Sequence, residues 1–132
     1  MKEIDALRFP DDIRYSPDHE WTRKEGDLFV VGISDYAQDQ LGDVVFTELP
    51  ETGSGIDKGE VFGSVESVKA VSELFMPLAG EIVAVNSQLE ESPELVNNDP
   101  YGEGWMIKVK AADPASYEQL MDQEAYLAHL KG

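Results

Sequence analysis

Short runs of β-branched and aromatic residues, separated by glycine, proline or acidic turns, carry most of the chain between Glu20 and Val109. Glu20 to Arg23 reads as a strand, and Lys24-Glu25-Gly26-Asp27 as a hairpin-like turn into Leu28-Phe29-Val30-Val31-Gly32-Ile33. Ser34-Asp35 opens a helix of about two turns that Gly42 ends. Val44 to Leu49 returns to β composition, followed by a loop from Pro50 to Gly55 and a turn at Lys58-Gly59. Val61 to Val68 and Val71 to Phe75 are β runs separated by almost nothing, which predicts a tight hairpin with Lys69 at or beside its tip. A further strand is expected over Glu81 to Val85, a helical turn or two over Glu90 to Val96 with Pro93 near its start, and a last strand over Trp105 to Val109.

The two ends read differently. The opening, through Ser16-Pro17-Asp18, is expected to be irregular, with residues 1–14 as an N-terminal arm. Asp113-Pro114 opens a helical tail over 113–132, in which Ser116 and Gln119 fit a capping box and Tyr117, Leu120, Met121, Ala125 and Ala128 share one face. Many short strands with frequent turns predict a mainly β fold, a small sandwich or flattened barrel with short peripheral helices. At 132 residues this is expected to be a single domain over 1–132.

Charge changes the picture more than composition does. Lys plus Arg number 10 against 27 Asp plus Glu, a formal net charge of -17. Such a surface repels phosphate backbones and anionic lipid, so neither nucleic acid nor membrane is an expected partner. The charge either keeps the protein soluble or steers partners with basic patches. There is no cysteine, hence no protein disulfide, thiolate nucleophile or thiolate metal site. His19 and His129 lie far apart in the sequence and share no ligand spacing, so no metal is expected. The first residues resemble neither a signal nor a transit peptide, so a cytoplasmic location is expected.

One place can carry chemistry. Between Gly59 and Ile107 Lys69 is the only cationic side chain, among nine carboxylates from Glu60 to Glu103. An exposed lysine on a backbone held by two strands, with no rival amine in the neighbouring turns, suits enzymatic acylation. Most single lysines are merely solvated charges, so position alone does not decide the matter.

The surrounding sequence does. Gly63-Ser64-Val65-Glu66-Ser67-Val68-Lys69-Ala70-Val71-Ser72-Glu73-Leu74 and Pro77-Leu78-Ala79-Gly80-Glu81 resemble the lipoyl-lysine segment of the glycine cleavage system H-protein family. His19-Glu20-Trp21, Gly32 to Gln38, Leu41 to Phe46, Glu48-Leu49-Pro50 and Asn97 to Trp105 look like further landmarks of that family, in its order. Departures are small: Tyr36 stands where histidine is common, Gln40 where some members have histidine, and Met76 where a smaller residue is frequent.

The resemblance implies a lipoyl-type barrel-sandwich hybrid and a non-catalytic carrier that bears lipoate as an amide on Lys69, a swinging arm. It implies shuttling of an aminomethyl group from a pyridoxal-phosphate glycine decarboxylase (P protein) to a tetrahydrofolate-dependent aminomethyltransferase (T protein). Electrons pass to a lipoamide dehydrogenase (L protein), and a lipoate ligase or lipoyl transferase installs the arm. The hard chemistry is then the cofactors', while the protein supplies attachment and docking. By the same analogy Glu20 and Glu73 hold the cationic loaded arm, or else are surface carboxylates. His19 contacts the arm or is a hydrogen-bonded structural histidine, and Glu66 is a feature the ligase reads. His129 reads as a favourable charge at a helix end.

Other readings remain distinct in sequence. A biotin carrier flanks its lysine with methionines, where Val68 and Ala70 stand here. A lipoyl domain of a 2-oxoacid dehydrogenase lacks the His-Glu-Trp and Asp-Pro-Tyr-Gly-Glu-Gly-Trp segments. A plain acidic interaction module would leave Lys69 unmodified, and a lone hydrolase or transferase would need a nucleophile–base pair that is not visible.

Overall fold

The structure is a computed structural model and describes residues 3–131. Among these described residues nine strands form two antiparallel sheets. Strands β1 (Arg14–Tyr15), β2 (Glu20–Glu25) and β3 (Leu28–Ile33) precede helix α1 (Asp35–Leu41), and β4 (Val44–Glu48), β5 (Gly55–Ile56), β6 (Val61–Ser67), β7 (Val71–Phe75) and β8 (Gly80–Val85) follow it. Two single-turn helices, α2 (Gln88–Glu91) and α3 (Leu95–Asn98), lead to β9 (Ile107–Ala111) and helix α4 (Gln123–Lys131). The larger sheet has the order β1-β2-β3-β9-β8-β5 and the smaller one β4-β6-β7.

Period-two alternation explains how β3 serves two cores. Phe29, Val31 and Ile33 face the space between the sheets with Val44, Phe62, Val65, Leu74, Ile82 and Ile107. Val30 points to the opposite face, into a second cluster with Ile13, Tyr15, Trp21, Tyr101 and Tyr126. Full burial of one such side chain is worth roughly 1.5–3 kcal/mol, so a strand buried on both faces anchors the architecture. Gly32, cross-strand from Trp21, is required here: a Cβ on it would stand 2.8 Å from the indole ring. That indole donates from Nε1 to the Pro100 carbonyl at 2.9 Å, joining the His-Glu-Trp segment to the Asn97–Trp105 loop.

Several expectations need correction. The N-terminal stretch is not wholly irregular: Arg14 and Tyr15 pair with Thr22 and Trp21, while Met1 and Lys2 of the arm lie outside the described residues. The expected loop ends in a strand, because Gly55 and Ile56 pair with Glu81 and Gly80. Pro93 does not open a helix but falls between α2 and α3, and the last strand begins at Ile107 instead of Trp105.

The helical tail is broken. Asp113, not Ser116, caps a 3-10 segment over Pro114–Gln119 by accepting from the Ala115 N–H at 3.1 Å. The chain then extends so that Met121 and Tyr15 exchange backbone hydrogen bonds of 2.9 and 2.8 Å. This pairing resets the helical phase, and Asp122 starts α4 by accepting from the Ala125 N–H at 2.9 Å. The buried residue of α4 is therefore Tyr126, while Ala125 and Ala128 are exposed. Gly132 lies outside the described residues.

Candidate functional site

The β6–β7 hairpin closes as predicted. Its last cross-strand pair is Glu66–Val71, and the Ser67 N–H donates to the Ala70 carbonyl at 2.7 Å, leaving only Val68 and Lys69 at the tip. Two-residue hairpin turns usually take positive φ. Among the described non-glycine residues only His19 does so, and this turn is held by other means. The Ser67 hydroxyl accepts from the Lys69 N–H at 3.3 Å and the Ala70 N–H at 3.1 Å, and the Asp43 carbonyl accepts from the Val68 N–H at 3.0 Å. Ser67 is buried and Lys69 exposed, so the lysine backbone is pinned while its side chain stands free.

The lysine stem lies over the end of α1. Ser34 starts that helix, its hydroxyl accepting from the Ala37 N–H at 3.2 Å, and Gly42 ends it at φ 79°, ψ -162°. That backbone region is essentially restricted to glycine. The Lys69 Cε is 3.5 Å from where a Cβ on Gly42 would stand. Asn97 fixes the junction: its Nδ2 donates to the Gly42 carbonyl at 2.9 Å and to Gln38 Oε1 at 3.0 Å, and its Oδ1 accepts from the Val44 N–H at 2.8 Å.

Beside this junction α1 and β7 frame a cleft of about 290 Å³. Ile33, Ala37, Leu41 and Leu74 give it apolar walls, and Asp18, His19, Glu20, Tyr36, Gln40, Ser72 and Glu73 supply polar groups. Glu20 is not a surface carboxylate, being 1% exposed. Its Oε1 accepts from the Ser16 hydroxyl at 2.6 Å and its Oε2 from the Phe75 N–H at 3.3 Å. Burial pushes its carboxyl up to about 7, only partly offset by these donors. Glu73 is exposed on β7 at the cleft rim.

His19 holds the cleft wall through its ring. Its Nδ1 is 2.8 Å from the Tyr126 hydroxyl, which is 2.8 Å from the Ser34 hydroxyl, the cap of α1. Its φ of 76° is a conformation that L side chains other than Asn, Asp and His rarely take. Burial lowers its pKa and the neighbouring His129 adds to this, with Asp18 opposing. The two histidines, distant in sequence, sit with ring centroids 6.0 Å apart, and His129 also lies 6.5 Å from the Tyr126 ring. The helix-end role expected of His129 is thus accompanied by packing in an aromatic cluster.

The predicted residues separate into two groups. Glu20, Glu73 and His19 line the cleft, and the Lys69 stem lies over Gly42, next in sequence to Leu41 of the cleft wall. Glu66 does neither; it is exposed on the smaller sheet, cross-strand from Phe46 and Val71. Sequence reasoning missed Ser67, Gly42 and Asn97 as supports of the lysine, and Tyr126 as partner of His19. A larger hollow of about 490 Å³ at the β5–β8–β9 edge, lined by Gly55, Gly80 and Ala111, contains none of the predicted residues. Among the described residues no cluster of three or more metal-ligating side chains occurs, and no helix is long and apolar enough to cross a membrane.

Two packed sheets with a lysine at the tip of a tight hairpin define the class, a carrier scaffold of the lipoyl barrel-sandwich type. The backbone is similar to the crystal structure of a glycine cleavage system H protein from Mycobacterium marinum, with a TM-score of 0.86 and 37% identity over 94% of this chain and 100% of that one. The chain belongs to the glycine cleavage H-protein family, whose sequence model matches residues 13–132. It is 56% identical over 126 residues to the glycine cleavage system H protein of Bacteroides thetaiotaomicron, a match covering 96% of this chain and all of that one. The protein of the same name from Anaeromyxobacter sp. (strain K) is 53% identical over 125 residues, 95% of this chain and 98% of its own. The chain is accordingly a carrier component of the glycine cleavage system, in a family known for lipoate attachment.

Proposed function

We propose that Lys69 bears lipoate as an amide and that the chain carries an aminomethyl group from the glycine decarboxylase to the aminomethyltransferase, and electrons to lipoamide dehydrogenase. Attachment requires the Lys69 Nζ to attack an activated lipoyl carboxyl carbon; the amide C–N bond forms, the activating group leaves and the nitrogen gives up a proton. Once attached, lipoate supplies a disulfide that accepts the aminomethyl group and the electrons. The protein's own residues position and shelter. Ser67 and Asp43 hold the attachment backbone, Gly42 and Asn97 build the ledge under the stem, and Ile33, Leu41 and Leu74 give the arm an apolar wall. Glu20 and Glu73 face the amine that only the loaded arm carries, and Glu66 marks the target lysine for a lipoate ligase.

The observation that carries this reading is the placement of Lys69: a free side chain on a pinned backbone, leaning across the end of α1 beside a cleft that contains a buried carboxylate. The arrangement fits a long, mostly apolar arm ending in a cation. The test is intact mass after co-expression with a lipoate ligase. The parent and the Lys58→Arg and Lys108→Arg controls gain the lipoyl mass and accept the aminomethyl group, while Lys69→Arg folds and does neither. Lipoylation persisting in Lys69→Arg would place the arm elsewhere.

A further inference from the structure

The outer face of the smaller sheet carries a feature that the carrier reading leaves unused. Among the described residues the exposed large apolar side chains are Val45, Phe46, Val61, Val68, Val71 and Val83, and all but Val83 belong to β4, β6, β7 or the Lys69 hairpin tip. Phe46 is 55% and Val71 66% exposed. A β-bulge contributes: Val44 pairs with Ser67 and Phe46 with Glu66, so Val45 is the extra residue and two successive apolar side chains are exposed.

The register makes a pattern of this. Cross-strand partners share a face, so Phe46, Glu66 and Val71 form one row across the sheet, and Glu48, Ser64 and Glu73 the next. A carboxylate stands between two apolar side chains, with two more carboxylates behind it. None of the three strands contains a lysine or arginine. The row lies immediately before and after the hairpin tip.

We propose that Phe46 and Val71 are the apolar anchors of the face on which the enzyme that acylates Lys69 docks, an enzyme surface with apolar seats for both and a basic side chain opposite Glu66. This rests on the reading of Lys69 as the attachment point. Reach selects this occupant. An enzyme working at the far end of a finished arm can stand away from the body, but one forming the amide must bring its activated carboxyl to within one lysine side chain of the hairpin backbone. It must therefore cover the adjoining row. In that step the Nζ–carbonyl bond forms, the activating group leaves and Nζ loses a proton. Charge selects against a second copy of this chain, because self-pairing would set Glu48, Glu66 and Glu73 against themselves.

The test uses the full chain with purified lipoate ligase, free lipoate and ATP, and compares Phe46→Ser and the Phe46→Ser/Val71→Ser double variant with Val83→Ser on the other sheet. Reaction with acetyl N-hydroxysuccinimide reports the accessibility of Lys69 without any enzyme. Phe46→Ser is expected to raise the KM for the chain about tenfold with kcat within about twofold, the double variant more. Val83→Ser, the melting temperature and the chemical acetylation of Lys69 should be unchanged. A double variant lipoylated with unaltered kcat/KM overturns the docking face alone, since Lys69 is then still the target. A parent that gains lipoyl mass on another lysine, or none, overturns the attachment reading beneath it. A parent dimer abolished by Phe46→Ser would assign the face to self-association and also overturn the proposal.

Discussion

Glu20 on β2 accepts the backbone N–H of Phe75 on β7 at 3.3 Å, so a buried carboxylate spans the gap between the two sheets beside the cleft. Its other oxygen is taken by the Ser16 hydroxyl at 2.6 Å. Neither donor is charged, and no salt bridge to Glu20 occurs among the described residues. A buried acid with neutral donors alone favours its protonated form.

This gives stability a definite pH dependence. The Glu20 carboxyl titrates near 4.5 when unfolded and is raised to about 7 when folded, so folding takes up a proton between these values. The stabilisation is complete below about 4.5 and is lost as the pH rises through about 7. Glu20→Gln cannot ionise; its amide oxygen can still accept from the Phe75 N–H while its amide nitrogen donates to the Ser16 hydroxyl, which reverses that bond. Urea unfolding from pH 4.5 to 8 should show the parent losing stability relative to this variant, by an upper limit of about 3 kcal/mol. A constant difference across that range would disprove the assignment.

If Glu20 and Glu73 hold the loaded arm as proposed, the same geometry divides their shares. A hydrogen bond to a charged group in a buried setting is worth about 1.5–3 kcal/mol, an exposed ion pair about 0.2–1 kcal/mol. Glu20→Gln should speed spontaneous loss of the aminomethyl group roughly tenfold or more, and Glu73→Gln no more than a few-fold. Lipoylation should be unaffected in both. Release rates of a labelled aminomethyl carbon from the loaded protein provide the measurement, and equal effects of the two substitutions would remove Glu20 from the arm's contacts.

His19 should prove a positioning residue first. Its φ of 76° costs most residues about 1–2 kcal/mol, whereas Asn tolerates it. His19→Asn should therefore retain the backbone and lose the bond to Tyr126, about 1 kcal/mol, together with the ring packing against Tyr36 and His129 that any non-aromatic replacement loses. His19→Val, β-branched in a left-handed conformation, should lose at least about 1–2 kcal/mol more. Thermal unfolding of the two side by side decides this. Similar losses would mean that the backbone is not under the strain its angle implies.

These residues also show where sequence reading reaches and where it stops. The Lys69 hairpin was legible because two β runs left no room for anything but a turn, and α1 because Ser34 and Gly42 mark its ends locally. The depth of Glu20 was not, since its burial depends on β7, remote in sequence. Nor was the pairing of Met121 with Tyr15, which overrides a local helix signal, or the approach of His129 to His19. Ser67 stood in the quoted motif, but nothing in it shows that its hydroxyl takes the N–H of Lys69.

The ledge under Lys69 allows attachment to be separated from folding. Asn97 makes three hydrogen bonds there, to Gly42, Gln38 and Val44, and its loss leaves backbone groups at the helix end without partners. At about 1–3 kcal/mol for each buried group left unsatisfied, Asn97→Ala should cost roughly 2–3 kcal/mol because the site is only partly buried. Gly42→Ala acts differently. Its Cβ would meet Lys69 Cε at 3.5 Å, an ordinary contact, so the penalty is the backbone angle, of order 1–3 kcal/mol. Relaxing that strain means turning the chain at Gly42 and Asp43, and the Asp43 carbonyl is what holds the Val68 N–H at 3.0 Å. Both variants should remain folded at 25 °C yet lipoylate more slowly than their stability alone predicts. A surface variant matched in melting temperature, such as one at Glu124 or Asp27 combined with mild urea, supplies the comparison. If lipoylation rates track stability alone across all of them, the ledge is a folding element and has no part in presenting the lysine.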